Sequence, residues 1–598
     1  MINNIRSIKD IFCELSYILN KKQKKQAIKV LAVIIISSWF ELIGVSAVLP
    51  FVQAIISPEI LMQNIYIQKI IKLFNIEASS KTLLLVIGIG LIVVYITKNI
   101  FMLFSLFAQN DYSTKVQKDL SNTILHSYMS RPYTFFLDTN SAEVMRGCMD
   151  NVSGVYNILS NILSMLAELL SVLLIAIYIL STDPATAIAA LVLISIIAAG
   201  IVLIFKPIMK RAGQKNRIVI ASKSKAIYQA VMGIKEIFVM QRQMYFEKKY
   251  EEASEISRNV QRNYSFISSC PDRIIEGICI SGLIGIVCIR LLTSGDMLDF
   301  VPKLAAFAMA AFKILPSVGK ISSRMSNIVY YRPMLSDAYN NMKEVNEYLG
   351  EQKKYIQKNG TYKKSIQNLQ FVSQLSINQV VWKYKNQHKV VLNKTTLVIK
   401  KGQSVGLIGA SGAGKTTLVD MILGLLKPQK GSIEMDGIDI YTIPYEWAHM
   451  VGYVPQAVFL IDDTVRNNVC FGLEINDKTD ELIWDALERA QLKTFIQSLP
   501  NGLDTIVGER GIKFSGGQRQ RIAIARALYC KPEILILDEA TAALDNETEM
   551  AVMESIDSLQ GQITMIIVAH RLTTIKKCDI VYEIVDGQAI QRDKEGLL

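Results

Sequence analysis

The chain has 598 residues, of which 51% are apolar and only 20% are charged. A row of soluble domains needs more charge than this, so we expect much of the chain to face lipid. The formal net charge is +12, but from residue 361 onward 28 Asp and Glu outnumber 26 Lys and Arg. The basic excess therefore lies in the first 360 residues, beside long apolar runs. That placement is typical of membrane helices and argues against nucleic acid as the partner.

Six segments of the first half are long and apolar enough to cross a bilayer core of about 30 Å. They are residues 30–56, 82–108, 155–181, 185–208, 266–293 and 299–330. Five lysines precede the first span: Lys21, Lys22, Lys24, Lys25 and Lys29. These charges place the N-terminus in the cytoplasm, and an even number of spans returns the chain to that side. We predict a multi-pass protein of the cell (inner) membrane with both termini cytoplasmic.

Two connections between the spans are long, charged and helical in pattern, at residues 109–154 and 209–265. Structureless loops of this length are uncommon in compact proteins. We therefore predict cytoplasmic extensions of the membrane helices. Reversals are expected near 132–136 and 233–236.

The second half is predicted to be a different domain. Short apolar runs, such as Ser404 to Ile408 and Ile534 to Leu537, alternate there with helical patterns, which is typical of an α/β sheet. We divide the chain into a transmembrane domain at 1–330, a charged connector at 331–361 and an α/β domain at 362–598.

The segment from Gly409 to Thr416 reads Gly-Ala-Ser-Gly-Ala-Gly-Lys-Thr and fits the phosphate-loop pattern GxxxxGK[ST]. It lies between a predicted strand and a predicted helix, as that loop requires. Its backbone N–H groups would surround phosphates, while Lys415 would reach the β/γ oxygens and the Thr416 hydroxyl would bind Mg²⁺. The residues predicted to bind nucleotide here are Gly409, Ser411, Gly412, Gly414, Lys415, Thr416 and Thr417.

A second element is the buried strand that ends at Asp538-Glu539. In a chain with a phosphate loop, we expect Asp538 to hold Mg²⁺ and Glu539 to orient the attacking water.

A third element is Phe514-Ser-Gly-Gly-Gln518, which precedes a helical run. A helix that starts with Ser and two Gly presents N–H groups to a phosphate. The sequence thus predicts a second phosphate-binding surface, made of Ser515, Gly516, Gly517 and Gln518.

Ser515-Gly-Gly-Gln518 resembles the signature of ATP-binding cassette (ABC) proteins, and further motifs follow in that family's order. The resemblance implies that Tyr384 stacks on adenine, that Gln456 is the Q-loop glutamine and a Mg²⁺ ligand, and that His570 is the switch histidine. The catalytic residues it implies are Glu539, His570, Gln456 and Lys415. Two positions depart from the family pattern: Phe514 replaces a Leu, and Ala543 replaces a Ser near the expected dimer interface.

Six spans followed by one cassette resemble an ABC exporter half-transporter. The resemblance implies a membrane α-helical bundle joined to an α/β P-loop nucleotide-binding domain, with ATP and Mg²⁺ as cofactors. It also implies a dimer in which the phosphate loop of one chain meets the signature of the other. Both sequences are intact here, so a homodimer suffices. A heterodimer stays open.

The membrane half resembles flippases of lipid-linked oligosaccharides through residues 40–51, through Pro271 with Glu276-Gly277, and through Leu315-Pro-Ser317 followed by Tyr330-Tyr331. The partner that this implies is a lipid-linked glycan.

Lys98, Arg273 and Lys320 lie within or beside apolar spans. Ionisable groups there usually face a bundle interior, so we predict a basic lining for a lipid pyrophosphate. Snorkelling at the interface and pairing with Glu41, Glu168 or Glu276 are the alternative explanations.

Between the first two spans, Ile67, Ile70, Ile71 and Phe74 follow the i, i+3, i+4, i+7 spacing of an amphipathic helix. By the same resemblance, Ile67, Ile70 and Phe74 would contact the polyprenyl tail of the substrate. Packing on the protein or resting on the outer leaflet is the simpler role.

Other functions compete with a glycolipid flippase. A soluble ABC ATPase acting on DNA or ribosomes is disfavoured by the six apolar spans. An exporter with its own peptidase would need a Cys/His protease domain ahead of the first span, where residues 1–29 stand. A peptide, lipopeptide or drug exporter remains the alternative, since neither composition nor spacing selects the substrate.

Overall fold

The computed structural model describes residues 2–56, 80–182, 184–293, 300–359, 369–385, 389–474, 479–539, 546–569 and 575–593. The chain forms two compact units. The first contains residues 1–131 and 138–351, and the second contains residues 132–137 and 352–598. The short segment 132–137 therefore packs with the C-terminal half of the chain.

Long helices make up the first unit. In chain order the helices are α1 (Ile2–Ile18), α2 (Lys21–Ser46), α3 (Val48–Ile56), α4 (Ser80–Ser130), α5 (Tyr133–Asp138), α6 (Ser141–Cys148), α7 (Asp150–Thr182), α8 (Pro184–Met232), α9 (Ile234–Val239), α10 (Gln243–Thr293) and α11 (Phe300–Asn359). Each of the six predicted spans lies on these helices: the first on α2 and α3, the others on α4, α7, α8, α10 and α11. Within the described residues, the stretches long and apolar enough to cross a membrane are Lys21–Val52, Leu84–Ser130 and Ser141–Ser181.

Helix α4 shows why these helices need lipid. A stripe of large apolar side chains along it is more than half exposed: Leu85, Ile89, Ile92, Ile96, Ile100, Leu103 and Phe107. The spacing of three and four residues places them on one side of the helix. An apolar surface of this extent would be unfavourable in water but suits hydrocarbon.

The two predicted reversals are confirmed, since the short helices α5 and α9 interrupt the long extensions at those places. Beyond α9, the chain runs back beside α8. Lys249 Nζ donates to Gln229 Oε1 at 3.0 Å, and Lys223 Nζ lies 5.5 Å from the centre of the Tyr250 ring. The region predicted as a charged connector is helical as far as Asn359, because α11 continues through it.

The second unit is an α/β structure with two sheets. Its strands are β1 (Gln374–Trp382), β2 (Leu392–Lys400), β3 (Ser404–Ile408), β4 (Lys430–Met435), β5 (Ile438–Asp439), β6 (Val451–Val454), β7 (Ile534–Asp538), β8 (Thr564–Val568), β9 (Ile580–Val585) and β10 (Gln588–Arg592). One sheet has the order β10-β9-β3-β8-β7-β6 and is parallel except for β10. The other sheet, β2-β1-β4-β5, is antiparallel.

Helices cover both faces of the six-stranded sheet. They are α12 (Lys415–Ile422), α13 (Pro444–Met450), α14 (Val465–Cys470), α15 (Thr479–Arg489), α16 (Lys493–Ser498), α17 (Gly516–Tyr529) and α18 (Asn546–Asp557). Because side chains alternate along a strand, β7 contributes to two separate cores. Leu535 and Leu537 pack with α17, whereas Ile534 and Ile536 pack with α12. Helices α12 and α17 therefore lie on opposite faces of the sheet.

Asp436, in the turn between β4 and β5, stabilises the start of β1. Its carboxylate accepts hydrogen bonds from the backbone N–H groups of Val372, Ser373 and Gln374, at 2.7 to 2.9 Å. Burial alone would raise the pKa of Asp436, but these hydrogen bonds and Lys401 outweigh it and hold the pKa below its usual value. A carboxylate with a lowered pKa contributes stability above the pKa of the unfolded chain, and that contribution is lost as the pH falls through the folded value.

We expect Asp436→Asn to lower the stability of the second unit by about 1 kcal/mol near neutral pH, because the charge is lost and one of the two accepting oxygens becomes an NH2 group that cannot accept. The difference from wild type should shrink in acid, where Asp436 itself becomes protonated. Thermal unfolding of the full chain in detergent, recorded from about pH 7 down to about pH 3, measures this. Asp586→Asn, in another turn, is the matched control. A difference that is constant over the pH range would contradict the assignment.

Candidate functional site

The predicted phosphate loop lies between β3 and α12, as its sequence requires. Two of its glycines cannot be replaced without strain. Gly409 has φ +142°, and a Cβ there would lie 2.6 Å from the carbonyl oxygen of Ile584. Gly414 has φ +109°, and a Cβ there would lie 3.0 Å from Leu392 Cδ2. Both φ values are in the region that favours glycine, so the sequence encodes this turn of the backbone.

Lys415, the first residue of α12, folds back over the loop. Its Nζ donates to the carbonyl oxygens of Gly409 at 2.8 Å and Ala410 at 3.1 Å. Burial lowers the pKa of Lys415, and the negative charges of Glu539 and Asp538 partly oppose that shift. The ammonium group thus sits at the loop with carboxylates nearby, where a phosphate would replace the carbonyl contacts.

The two threonines after Lys415 differ in solvent exposure. Thr416 is exposed, so its hydroxyl is accessible to a metal-bound nucleotide. Thr417 is buried, and its Oγ1 lies 3.0 Å from the hydroxyl of Tyr384. The structure therefore joins the aromatic residue predicted to stack on adenine directly to the phosphate-loop helix. Ser411 and Gly412 are exposed on the same loop.

The carboxyl end of β7 brings three predicted residues to one place. Asp538 ends the strand and is buried, and Glu539 follows it with φ +49°. Gln456, beyond the end of the neighbouring strand β6, donates from Nε2 to Glu539 Oε2 at 2.6 Å. The residues themselves predicted Asp538 and Glu539, and the family resemblance implied Gln456; the parallel pairing of β6 and β7 aligns the three.

Sequence analysis missed a group of hydroxyls and a carboxyl beside this site. Burial and the charge of Asp538 raise the pKa of Asp420, on α12, to about 6. Tyr453 hydrogen-bonds Asp538, and burial is the main cause of its raised pKa. Burial also raises the pKa of Tyr133, in the segment 132–137, with smaller effects from Asp420 and Tyr384. Asp420 follows Leu418-Val419 and precedes Met421-Ile422 on α12, and an acidic residue between these apolar pairs was the sequence signal for it.

The predicted second phosphate-binding surface has the expected local structure. Ser515 caps α17: its Oγ accepts from the Gln518 N–H at 3.3 Å, and its own N–H donates to Gln518 Oε1 at 2.9 Å. Ser515 and Gly516 are exposed, while Gly517 is buried. Because α17 and α12 lie on opposite faces of the sheet, this surface and the phosphate loop belong to different layers of the unit.

Two side chains, one just before α17 and one within it, attach this helix to the rest of the unit. Phe514, which departs from the family pattern, is buried and contacts Phe495 edge-on at 6.0 Å between ring centres. Arg526 donates to the carbonyl oxygens of Asn468 and Phe459 at 2.8 and 2.9 Å, and burial lowers its pKa to about 10. The helix is thereby attached to the segment that follows Gln456.

Some predicted residues lie outside the described part of the chain, namely His570, Ala543, Ile67, Ile70 and Phe74. Among the described residues there is no cluster of three or more His, Cys, Asp or Glu side chains that could hold a metal alone. The oxygen donors of Thr416, Gln456 and Asp538 do suit Mg²⁺, which usually takes one or two carboxylates and completes its shell with phosphates and water.

The basic residues of the membrane half have acidic or aromatic neighbours. Lys320 Nζ lies 3.1 Å from Glu168 Oε1, and Arg273 Nη1 lies 3.1 Å from Glu276 Oε2. Lys98 Nζ lies 4.6 Å from the centre of the Tyr95 ring. Pairing, one of the alternatives considered for these residues, thus occurs for Lys320 and Arg273.

Comparison with known proteins places both halves in related families. Residues 29–298 match the family model for the ABC transporter transmembrane region, and residues 392–542 match the model for ABC transporters. The heterocyst differentiation ATP-binding protein HepA of Nostoc sp. is 33% identical over 363 residues, which cover 60% of this chain and 57% of HepA. The ATP-dependent lipid A-core flippase of Francisella novicida is 44% identical over 210 residues, or 35% of each chain.

These alignments span just over half of HepA and about a third of the flippase. A solved structure of a bacterial Atm1-family ABC exporter with ATP bound has a TM-score of 0.72 over 97% of both chains, at 19% identity. Likeness at that identity shows the fold alone. The predicted fold class, a helical transmembrane domain followed by a P-loop ATPase domain, is confirmed.

Proposed function

The chain belongs to the ABC transporters, because it has a transmembrane region and an ATP-binding domain of that family in one polypeptide. We propose that it is an ATP-driven exporter of a lipid-linked oligosaccharide or related glycolipid. The observation that supports the transport function best is the pairing of apolar, membrane-length helices with a complete phosphate loop. We also propose that the chain divides into a transmembrane domain at 1–330, a connector at 331–361 and an ATP-binding domain at 362–598. The ATP-binding domain would lie in the cytoplasm and the spans in the inner membrane.

We propose these roles for the site residues. Tyr384 stacks on the adenine, and Lys415 and the loop amides hold the phosphates. Glu539 orients the attacking water and accepts its proton. Thr416, Gln456 and Asp538 would hold Mg²⁺, which supplies charge neutralisation at the phosphates when bound. His570 would contact the γ-phosphate.

A dimer follows from the separation of the two phosphate-binding surfaces. Ser515 and Gly516 are exposed on α17, whereas the phosphate loop starts α12 on the other face of the sheet. A second copy can bring its signature to this loop, so a homodimer is sufficient.

The charged extensions also end in an exposed apolar surface, made of Ile234, Phe238, Val239, Met240, Met244 and Tyr245. Such a surface in a cytoplasmic segment indicates a protein partner.

Support for the substrate class is of two kinds. Curated relatives include lipid A-core flippases, which act on a glycolipid by name. The membrane half resembles PglK, the flippase of lipid-linked oligosaccharides in bacterial N-glycosylation, through the residues given above. The chemistry shared by these substrates is a lipid chain, an anionic phosphate group and a sugar.

The proposal is tested by reconstituting the full chain in proteoliposomes and measuring ATP hydrolysis with added substrates. A lipid-linked oligosaccharide should stimulate hydrolysis, and lipid A should do so if the class is broader. Stimulation by a peptide, lipopeptide or drug alone would favour the alternative exporter function. Stimulation by none of these, with no ATP-dependent movement of labelled glycolipid, would contradict the assignment.

A charge test separates a basic substrate lining from internal pairing. We expect Lys98→Gln, Arg273→Gln and Lys320→Gln together to reduce glycolipid-stimulated hydrolysis by roughly tenfold, since hydrogen bonds to charged groups contribute about 1.5–3 kcal/mol. Basal hydrolysis should remain. Glu168→Gln with Lys320→Gln is the matched control: if Lys320 serves only its ion pair, removing both charges should restore function relative to Lys320→Gln. Unchanged stimulation in the triple variant would contradict the lining.

The external segment offers a second substrate test. Replacing Ile67, Ile70 and Phe74 with Ser should reduce stimulation by lipid-linked glycan by at least about tenfold and leave basal hydrolysis intact, because full burial of even one such side chain against a polyprenyl tail contributes about 1.5–3 kcal/mol. Equal loss of both activities would indicate a folding role. No loss of either would exclude the segment from substrate recognition.

A further inference from the structure

Two membrane helices of the first unit, α7 and α11, each carry a row of polar side chains. The row on α7 consists of Asn161, Ser164, Glu168 and Ser171. The row on α11 consists of Ser317, Lys320, Arg324 and Asn327. Both rows advance by steps of three and four residues, so each lies on one side of its helix. Together they are here called the polar seam.

Hydrogen bonds join the two rows. Lys320 Nζ donates to Glu168 Oε1 at 3.1 Å. Arg324 Nη1 and Asn327 Nδ2 both donate to Asn161 Oδ1, at 3.3 and 3.2 Å. The order of the partners runs in opposite directions along the two helices, as it must for an antiparallel pair. The polar seam is therefore a continuous set of contacts between α7 and α11.

The position of the seam along the helices places it inside the membrane. Asn161 and Arg324 lie six residues inside the cytoplasmic ends of the predicted spans 155–181 and 299–330, or about 9 Å at 1.5 Å per residue. Glu168 and Ser317 lie thirteen residues inside, or about 20 Å, close to the middle of the membrane. Polar groups at that depth are costly against lipid, so they face the bundle interior or a water-filled path.

The seam is not sealed between its two helices. The side chain of Lys320 is 52% accessible, and Ser164, Glu168, Arg324 and Asn327 are partly exposed. Polar groups that served only to hold two helices together would be enclosed by them. The seam instead presents hydrogen-bonding groups to the space beside α7 and α11.

The seam also has binding capacity left over. Glu168 Oε2 and Ser317 Oγ are buried without a hydrogen-bond partner among the described residues, and Ser317 is only 1% exposed. Arg324 is half-buried, and in the described part of the chain its guanidinium contacts the neutral amide of Asn161 and no carboxylate. Buried polar groups normally have partners, and a half-buried cation normally has an anion. A ligand with hydroxyl groups and a negative charge would supply both.

An apolar cluster ends the seam on its outer side. One turn beyond Ser171 and Ser317, the buried side chains of Ile175 and Ile314 belong to a cluster that joins α2, α7, α10 and α11. Its other buried members are Val45, Ile275 and Val318. Polar groups thus extend from near the cytoplasmic edge to mid-membrane and stop there. A ligand of the seam would enter from the cytoplasmic side.

We propose that the polar seam binds the headgroup of the exported glycolipid as it enters from the cytoplasmic leaflet. Arg324 contacts the lipid phosphate, because a guanidinium can form two parallel hydrogen bonds with phosphate oxygens. The neutral groups of the seam, including Ser317 and the amides of Asn161 and Asn327, hydrogen-bond the sugar hydroxyls. This inference rests on the proposed function and names the headgroup site that the function requires.

The phosphate contact is tested with the full chain in proteoliposomes. ATP hydrolysis is recorded against the concentration of lipid-linked oligosaccharide, which gives the half-maximal concentration and the maximal stimulation separately. Arg324→Gln should raise the half-maximal concentration at least about tenfold, as expected for the loss of a charge-assisted hydrogen bond. Arg324→Lys keeps the charge and should lie between wild type and Arg324→Gln. The matched control is Arg262→Gln on α10, because Arg262 also donates to an asparagine but lies outside the spans.

A second lipid separates the sugar contacts from the phosphate contact. Ser317→Ala should raise the half-maximal concentration of the lipid-linked oligosaccharide several-fold, because one neutral hydrogen bond is lost. It should leave the response to a polyprenyl diphosphate without sugar unchanged, whereas Arg324→Gln should weaken the response to both lipids. Ser322→Ala is the matched control, since Ser322 is equally a buried serine of α11 but lies off the seam.

Thermal unfolding of each variant in detergent distinguishes ligand binding from helix packing. Lower stability of Arg324→Gln and Ser317→Ala with wild-type half-maximal concentrations would overturn the inference, since the seam would then only hold α7 and α11 together. If Arg324→Gln does not fold, Arg324→Lys and Ser317→Ala decide by the same criterion. Failure of the proposed function looks different: wild type itself would then respond to no lipid-linked glycan.

Discussion

Glu539→Gln is expected to reduce steady-state ATP hydrolysis by at least about 100-fold while ATP still binds. The carboxylate is needed to accept a proton from the attacking water, and a general base contributes about 10²–10⁴ in rate. The substitution keeps the length of the side chain, so Gln456 can still donate its hydrogen bond, now to an amide oxygen. The phosphate loop and Lys415 are untouched.

The two effects are measured separately. Single-turnover and steady-state hydrolysis give the rate, and fluorescent-nucleotide titration of the reconstituted protein gives the affinity. Glu434→Gln, on β4 of the antiparallel sheet, is the matched control and should hydrolyse ATP normally. Turnover within about tenfold of wild type would remove Glu539 from the catalytic role, since positioning of the nucleophile is central to phosphoryl transfer.

The nucleotide site shows how far sequence could go. The spacing of Gly409, Gly414 and Lys415 predicted a loop between a strand and a helix, and the structure has that loop because glycine alone tolerates its φ values. The residues at the end of β7 were also predictable, since an acidic pair after an apolar run lies at the carboxyl edge of a parallel sheet. At these positions the residues that set the local backbone are the same residues that are predicted to bind the nucleotide, so a short sequence pattern identifies both.

Contacts between distant segments could not be predicted in this way. The bond from Gln456 to Glu539 joins residues 83 positions apart, and that from Tyr384 to Thr417 joins residues 33 apart. Both depend on strand order and helix packing, which residue spacing does not encode. The assignment of α12 and α17 to opposite faces likewise needed the alternation of β7 side chains between two cores.

The membrane half was predictable in outline for a different reason. Hydropathy and length identify a span, because lipid selects for apolar side chains whatever their partners are. For the charges within the spans the sequence offered several explanations, and pairing with Glu168 or Glu276 was among them. The structure shows Lys320 beside Glu168 and Arg273 beside Glu276. The candidate partners were thus predictable from the sequence, but the contact of Lys320 with Glu168 depends on the packing of two helices, which residue spacing does not encode.

Lys415→Ala is expected to act at an earlier step than Glu539→Gln, by weakening nucleotide binding about tenfold to 100-fold. In the structure the ammonium group donates to the carbonyl oxygens of Gly409 and Ala410, and a bound phosphate would exchange these neutral acceptors for charged ones. Hydrogen bonds to charged groups contribute about 1.5–3 kcal/mol, which gives the expected range.

The measurement is equilibrium titration with a fluorescent ATP analogue, with Lys430→Ala on β4 as the matched control. Lys415→Ala should raise the dissociation constant, and Glu539→Gln should leave it nearly unchanged while abolishing turnover. The two variants thus separate ground-state binding from the chemical step, because one removes a cation facing the phosphates and the other a base facing the water. Wild-type affinity in Lys415→Ala would mean that the loop amides alone hold the phosphates, and would contradict the role given to this lysine.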